Sequence, residues 1–310
     1  IFNKSNYIIS INQSNMNNSV YILEDRALLY VSGEDSQNFL QNLITNDVNQ
    51  VNDNTCCFAS LLTPQGKFLY EFFIIKHKLG YFLDCEKAQA ENLLKQLNIY
   101  KIRSKIEILN LSNEFVVASF NKDKFLTLSD AKDRPGYTIK FREDSVFLDP
   151  RNSDLGARLI INLEKLYLSL KKLELKDDNI ENYYKKSFNL GLIPKNLNDL
   201  QNKLFGIECN LEELNAIDFK KGCYVGQENT ARIKLKDKLN KRLLPIKIIE
   251  GDLKDDMILF GKDEIGKVLI KDDYPYAIIK IKNEKFDFDK ILNCGSAKIK
   301  VKKPDWLRIT

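Results

Sequence analysis

The sequence predicts an α+β protein, and three observations carry that expectation. Up to residue 161 the chain is dominated by alternating apolar and polar runs rich in aromatic and β-branched residues, the period-2 signature of strands. Stretches with apolar residues at helical spacing interrupt these runs in a strand, strand, strand, helix, strand order. Such an order builds an antiparallel sheet with helices on one side. After Lys241-Arg242 only short β-runs remain, punctuated by Gly251, Gly261, Gly266, Pro275 and Gly295, which fits a small barrel of about 70 residues.

Taken in order, residues 20–31 are expected to form a hairpin turning at Glu24-Asp25-Arg26. Gly33 releases the strand, and Asp35 or Ser36 caps a helix whose apolar positions are Phe39, Leu40, Leu43 and Ile44. Residues 55–62 alternate as a strand, Thr63-Pro64-Gln65-Gly66-Lys67 is turn chemistry, and residues 68–76 form the next strand. His77, the sole histidine, is expected in an exposed turn beside Lys78-Leu79-Gly80. Tyr81-Phe82-Leu83 is a strand, residues 86–97 a helix with Ala90, Leu93, Leu94 and Leu97 on one face, and residues 105–111 and 115–120 further strands.

Arg134-Pro135-Gly136 is a turn, and Val146-Phe147-Leu148 leads into Asp149-Pro150-Arg151, where the proline fixes the backbone between two opposite charges. That pair is either a turn-stabilising ion pair or part of a site. Leu155-Gly156-Ala157-Arg158 and the strand Leu159-Ile160-Ile161 follow. Helices are expected over residues 163–175 and 179–190, closed by Gly191 and Pro194. In the last part the expected strands are residues 243–249, 267–270, 276–281 and 297–301.

Composition narrows the classes of function. The net charge of +5, from 48 basic and 43 acidic residues, is too small and too dispersed to call for nucleic acid, and it suits an anionic small ligand. No apolar run has the length of a membrane span, and residues 1–20 lack the charged-then-apolar layout of a secretory signal, so the cytoplasm is the expected compartment. Cys56, Cys57, Cys85, Cys209, Cys223 and Cys294 contain no Cys-x-x-Cys, and with one histidine no zinc-finger spacing exists. Free thiols and no metal are therefore expected.

The most informative stretch is Phe219-Lys220-Lys221-Gly222-Cys223-Tyr224-Val225-Gly226-Gln227-Glu228-Asn229-Thr230-Ala231-Arg232. Two glycines four apart mark places where backbone turns or comes close to something else. A short helix from about Gly226 puts Glu228 and Arg232 on one face, at i and i+4. Singly, each residue has a plain reading: a lone cysteine is ordinarily a small buried hydrophobe, and an i, i+4 ion pair a solvated helix face. As a string, the segment is hard to explain as packing and has the composition of a site.

The string resembles the Lys-Gly-Cys-Tyr-x-Gly-Gln-Glu-x-x-x-Arg signature of the YgfZ family, folate-binding relatives of the glycine cleavage T-protein that include a mitochondrial iron–sulfur assembly factor. Phe39-Leu40-Gln41-Asn42-Leu43-Ile44-Thr45-Asn46-Asp47-Val48 resembles the family's N-terminal string, and Asp149-Pro150-Arg151 with Leu155-Gly156-Ala157-Arg158 a second one. One departure concerns the helix before Gly191-Leu192-Ile193-Pro194. Relatives commonly carry an arginine there, where this chain has Lys185, Lys186 and Ser187.

The resemblance implies a T-protein-like three-domain arrangement, with two ferredoxin-like sheet-and-helix domains and a C-terminal β-barrel. Its expected boundaries are 1–48 with 113–235 for a discontinuous folate-binding domain, 49–112 for a second α+β domain, and 236–310 for the barrel. It implies tetrahydrofolate in a central channel. The amino-pyrimidine edge of a pterin presents adjacent N–H donors that a carboxylate complements with parallel hydrogen bonds, with Glu228 favoured and Glu208 the other candidate. Lys220, Lys221, Arg232 and Lys234 offset the tail's charges, Tyr224 stacks on a flat ring, and Gln227 lies beside Glu228 in the motif. Asp47 is either a turn residue or reaches the channel.

Where the aminomethyltransferase carries a pair of aspartates after the turn matching Gln65-Gly66-Lys67, this chain has Tyr70 and Glu71. It has instead Cys223, whose lysine neighbours favour a thiolate able to ligate iron, attack a one-carbon adduct or sense redox state. Two readings follow. One is a folate-binding accessory protein that works with iron–sulfur assembly proteins and their client enzymes, tRNA-modifying ones included. The other is a folate-dependent aminomethyltransferase or demethylase. The missing aspartate and Cys223 favour the first.

Overall fold

The computed structural model describes residues 18–235 and 239–308. Most of the N-terminal stretch read for a signal, residues 1–17, lies outside them. The chain divides into two compact units: one of residues 1–39, 48–58 and 72–183, the other of residues 40–47, 59–71 and 184–310.

The first unit contains a six-stranded sheet in the order β11-β1-β7-β10-β9-β8. Its strands are β1 (Ser19–Ile22), β7 (Phe115–Phe120), β8 (Thr138–Phe141), β9 (Asp144–Leu148), β10 (Ala157–Asn162) and β11 (Lys176–Asp177). All neighbours pair antiparallel except β1 with β11. One face buries Val20, Phe120, Val146, Leu148, Leu159 and Ile161 with Phe125, Leu173 and Leu175. Phe125 comes from the short helix α3 (Lys122–Leu126), and Leu173 and Leu175 follow helix α4 (Leu163–Lys172). Asn162 caps α4, its side-chain oxygen accepting from the Glu164 N–H at 3.0 Å.

The expected hairpin over residues 20–31 does not form. β1 joins the six-stranded sheet, while β2 (Arg26–Ser32) pairs with β5 (Gly80–Glu86) and β6 (Glu107–Asn110) in another. The chain turns at Leu23, whose N–H donates to Val117 O at 2.9 Å, so the turn residues were correct but the two arms go to different partners. The second sheet has the order β3-β4-β5-β2-β6; β3 (Cys57–Leu62) and β4 (Phe68–His77) run from one unit into the other. Helix α2 (Lys87–Tyr100) follows β5 and buries Ala90, Leu93 and Leu97, as its apolar spacing predicts.

His77 also departs from expectation. It ends β4 as a half-buried residue among the rings of Phe82 (centroids 4.3 Å apart), Tyr30 and Phe115. Burial first, then Lys78 and Lys140, press its pKa down to about 4 against the opposing Glu143.

The second unit ends in the closed barrel β12-β15-β14-β13-β16-β17. These strands are β12 (Lys241–Glu250), β13 (Met257–Phe260), β14 (Asp263–Ile270), β15 (Tyr276–Lys280), β16 (Leu292–Cys294) and β17 (Ala297–Val301). The four expected strands are present; β13 and β16, of four and three residues, were too short to show a period. Pro245 sits in β12 where pairing switches from β15 to β17, the place in a strand where a missing N–H does least harm. Helices α1 (Ser36–Leu43), α5 (Ile180–Asn189) and α6 (Gln227–Leu235) complete the α-helices among the described residues. The α+β class and the C-terminal barrel both hold.

Candidate functional site

The motif from Phe219 to Arg232 lies wholly in the second unit, and its backbone is fixed from three directions. The first is the loop after α1. Thr45 is fully buried, and its hydroxyl donates to Ala216 O at 2.6 Å while accepting the Ser60 N–H at 2.9 Å. The Asp218 N–H donates to Thr45 O, and the Asn46 side-chain amide donates to Asn215 O at 2.8 Å. Asp47 holds a turn, its carboxylate accepting from the Gln41 amide at 2.9 Å and its N–H donating to the Asn46 side chain. Of its two expected roles, the structure displays this one.

The second fixing point is Lys221. Its ammonium donates to Gln41 O, Ile44 O and Asn46 O, each at 2.7 Å. It was expected to face the tail of a ligand; the carbonyls left over at the end of α1 hold it instead. The ring of Tyr224, 8% exposed, lies 5.2 Å from the same nitrogen. Burial pushes the Tyr224 hydroxyl up to about 12, partly offset by a hydrogen bond with Thr230. Tyr224 thus packs beneath the loop, although a stacking surface was expected.

The third is the turn at residues 63–66. Gly226 has φ +85°, and a Cβ there would stand 2.5 Å from Thr63 O and 3.1 Å from the Cα of Gly66. Asn229 donates to Gln65 O at 2.9 Å, and Thr230 folds its hydroxyl back onto Gly226 O. Gly226 therefore answers to close approach. Gly222 does not, since a Cβ added there meets nothing within 4 Å.

What this frame presents outward is Gly222, Cys223, Glu228 and Arg232, all exposed, with Gln227 half-buried. Glu228 and Arg232 make no ion pair among the described residues, so the expected i, i+4 bridge is absent and Glu228 carries a free carboxylate. Cys223 is the one exposed cysteine of the six. Burial raises the thiols of Cys56 and Cys209 well above their usual range, raises Cys294, and pushes Cys85 up to about 12. Burial thus disfavours the thiolate at these four, and Cys57 is buried as well.

Glu208 sits in the 3-10 turn Gly206–Cys209, where its carboxylate accepts the Phe205 N–H at 2.9 Å. Burial raises its pKa, countered by that N–H and by Lys241 and Lys67. Beside it opens a cavity of about 600 Å³ lined by Lys67, Lys203, Phe205, Lys241, Lys267 and Lys280 among others. Tyr70 and Glu71, which the resemblance sets against the aspartate pair, are both buried.

A cluster in the first unit was only half legible. Asp149 binds Arg151 through both oxygens, at 3.0 and 2.9 Å, as one reading of Asp-Pro-Arg expected. Arg158 then bridges Asp149 at 3.4 Å, Asp84 at 2.9 Å and the Tyr183 hydroxyl at 2.7 Å, and Arg26 binds Asp84 at 2.6 Å. The guanidinium carbons of Arg158, Arg151 and Arg26 lie 4.1, 4.8 and 5.7 Å from the centroid of the Phe73 ring. Burial alone would raise the Asp149 carboxyl, but Arg151 and Arg158 hold it below its usual value. Nothing local in the sequence ties Asp84 and Arg26 to this group; only strand pairing does.

No protein-family model matches the chain. Over 267 residues it is 28% identical to the mitochondrial iron–sulfur cluster assembly factor IBA57 homolog of Dictyostelium discoideum, covering 76% of this chain and 64% of that protein. Its counterpart in Neurospora crassa is 29% identical over 237 residues, covering 72% and 52%. The resemblance to the YgfZ family holds. In Coccidioides immitis a relative of the same description is 29% identical over 244 residues, covering 73% and 56%. The chain thus spans between about half and two-thirds of the length of these YgfZ-family relatives. Among solved structures, the glycine cleavage system aminomethyltransferase T of Bartonella henselae superposes with a TM-score of 0.74 at 10% identity, over 95% of this chain and 89% of that one. That likeness shows the T-protein-like fold.

One expectation is overturned. The relatives are described as mitochondrial, against the cytoplasmic reading. That reading rested on the lack of a secretory layout, which speaks to export and not to compartments reached by other signals.

Proposed function

We propose that the chain is a mitochondrial accessory protein for iron–sulfur cluster assembly or repair, that it binds tetrahydrofolate, and that Cys223 is its working thiol. The observation that carries the reading is the contrast among the cysteines: five buried, and one exposed at the crown of a loop anchored by Lys221 and Gly226. An exposed thiol that forms no disulfide in such a frame is kept for chemistry rather than packing. The named activity of the relatives supports the iron–sulfur assignment. Assembly proteins and client enzymes, tRNA-modifying ones included, are the partners this reading calls for.

The residues fit a folate in part. Glu228 offers an unpaired carboxylate for the donor edge of a pterin, and Arg232, one helical turn on, and Lys220 are exposed cations of the same motif. Lys221 and Tyr224 are turned inward and contribute support instead of contacts. Bound folate would supply a one-carbon carrier; this chain's part is to hold the pterin edge and tail.

The T-protein-like fold favours a second reading, folate-dependent one-carbon transfer. The buried Tyr70 and Glu71 at the aspartate positions weigh against it. The deciding experiment is complementation of cells lacking the endogenous relative, read by the activity of an iron–sulfur enzyme. Wild type restores it and Cys223→Ser does not; full restoration by Cys223→Ser rejects the role of the thiol. Turnover of tetrahydrofolate with an aminomethyl donor by the purified protein would favour the second reading.

A further inference from the structure

Lys221 stands two residues before Cys223, yet its ammonium points away from solvent into three carbonyl oxygens at one distance, 2.7 Å. The ammonium is held inside the protein, and the residue is 8% exposed. The carbonyls belong to the last turn of α1 and the residues just after it, which is where helix geometry leaves oxygens unsatisfied and the helix dipole favours a cation. On the other side of Cys223, Tyr224 is equally buried against the same nitrogen. Gly222 and Cys223 are the exposed crown between these two anchors.

We propose that Lys221 is a positioning residue for the Cys223 thiol: its ammonium fills a three-carbonyl cage that pins the loop to the end of α1. This rests on the reading of Cys223 as the working thiol. The cage explains why a lysine is needed. A methionine has the stem but leaves three buried carbonyls without donors. An arginine carries a planar fork of five donors that does not converge on three oxygens around one point. The cage is specific for a primary ammonium.

That specificity gives the test. Lys221→Ala removes the stem beyond Cβ and the nitrogen, which n-propylammonium replaces atom for atom. In the full-length protein at pH 7, Lys221→Met and Lys221→Ala are expected to alkylate at Cys223 about tenfold more slowly than wild type, because the thiol loses its fixed presentation. Addition of n-propylammonium restores the rate in Lys221→Ala. Tetramethylammonium, which has the charge but no N–H, and 1-propanol, which has the stem but no charge, do not. Hydrogen exchange of amides 219–226 follows the same order, faster in the variants and slowed again by n-propylammonium, while barrel amides keep wild-type protection and report that the variants are folded. Cys223 rates and loop exchange unchanged in folded Lys221→Met overturn the proposal, and so does equal rescue by all three additives. Complementation by Cys223→Ser, run alongside, separates failure of the thiol reading, which leaves these rates untouched, from failure of the cage.

Discussion

Gly226 and Gly66 face each other so closely that a Cβ on Gly66 would lie 3.1 Å from Gly226 O, and one on Gly226 would lie 3.1 Å from the Cα of Gly66. Both have positive φ, +85° and +81°. The start of α6, and with it Glu228, is set by this contact.

Gly226→Ala is therefore expected to destabilise the protein by about 1–3 kcal/mol, from left-handed strain and a backbone clash at Thr63 O. Gly222→Ala, with open space around it, is expected to be neutral within about 0.5 kcal/mol. Urea midpoints of the two variants decide the matter; equal midpoints would show that the contact is not a constraint.

The six cysteines predict a labelling pattern. Alkylation of the native protein at pH 7, read by mass spectrometry, is expected to modify Cys223 first. The other five react only after denaturant is added, since burial keeps each from reagent and, for Cys56, Cys85, Cys209 and Cys294, raises the pKa as well. A second fast cysteine would contradict the burial pattern.

In the first unit, Arg158→Met leaves Asp84 and Asp149 short of a guanidinium in the interior, at a cost of about 3–5 kcal/mol. The pH dependence has a definite sign. Asp149 is held below its usual 3.8, so its contribution is present above that pH and lost as pH falls through the lower folded value. The gap between Arg158→Met and wild type should be full at pH 6 and narrow below pH 3.8. A gap that widens on acidification would contradict the pairing.

His77 works in the opposite part of the scale. Its folded pKa of about 4 lies below the ordinary 6.5, so between these values the unfolded chain binds more protons. The stability it supports is complete above pH 6.5 and is lost as pH falls toward 4. The ring is half-open to solvent, so the effect is on the order of 1–2 kcal/mol after screening. His77→Phe should lose less stability than wild type between pH 7 and pH 4.5; identical losses would show that the aromatic setting does not depress the ring.

Much of the site was legible because its chemistry is local. The motif string, the single thiol among lysines and the turn at residues 63–67 are all features of short stretches. What was not legible depends on partners far along the chain. Lys221 looked like a surface cation until the end of α1 came to meet it. Arg26 and Asp84 are 58 residues apart. The arms of the supposed hairpin were each correctly read as strands, yet nothing in their pattern says which sheet they enter. Periodicity reports which face is buried, not against what.

For ligand binding, Glu228→Gln is expected to weaken tetrahydrofolate by about 1–3 kcal/mol, since an amide donor would replace an acceptor opposite the pterin's own donors. Glu208→Gln is expected to keep both its turn and the affinity, because the amide oxygen still accepts the Phe205 N–H and Glu208 serves that turn. Calorimetry on both variants checks this; loss of binding in Glu208→Gln alone would move the pterin to the other carboxylate.

Each unit is assembled from three separate lengths of chain, and the chain passes from one to the other within β3 and again within β4. Neither unit is a cassette. A ribosome that has delivered residue 150 has not yet supplied β10, and the barrel closes only when β17 has been made. Many native pairings therefore span long loops whose closure entropy must be met before they are rewarded, so folding is expected to be slow, and during synthesis exposed strands wait for their partners. In a cell this is the profile of a protein that leans on chaperones while it is being made.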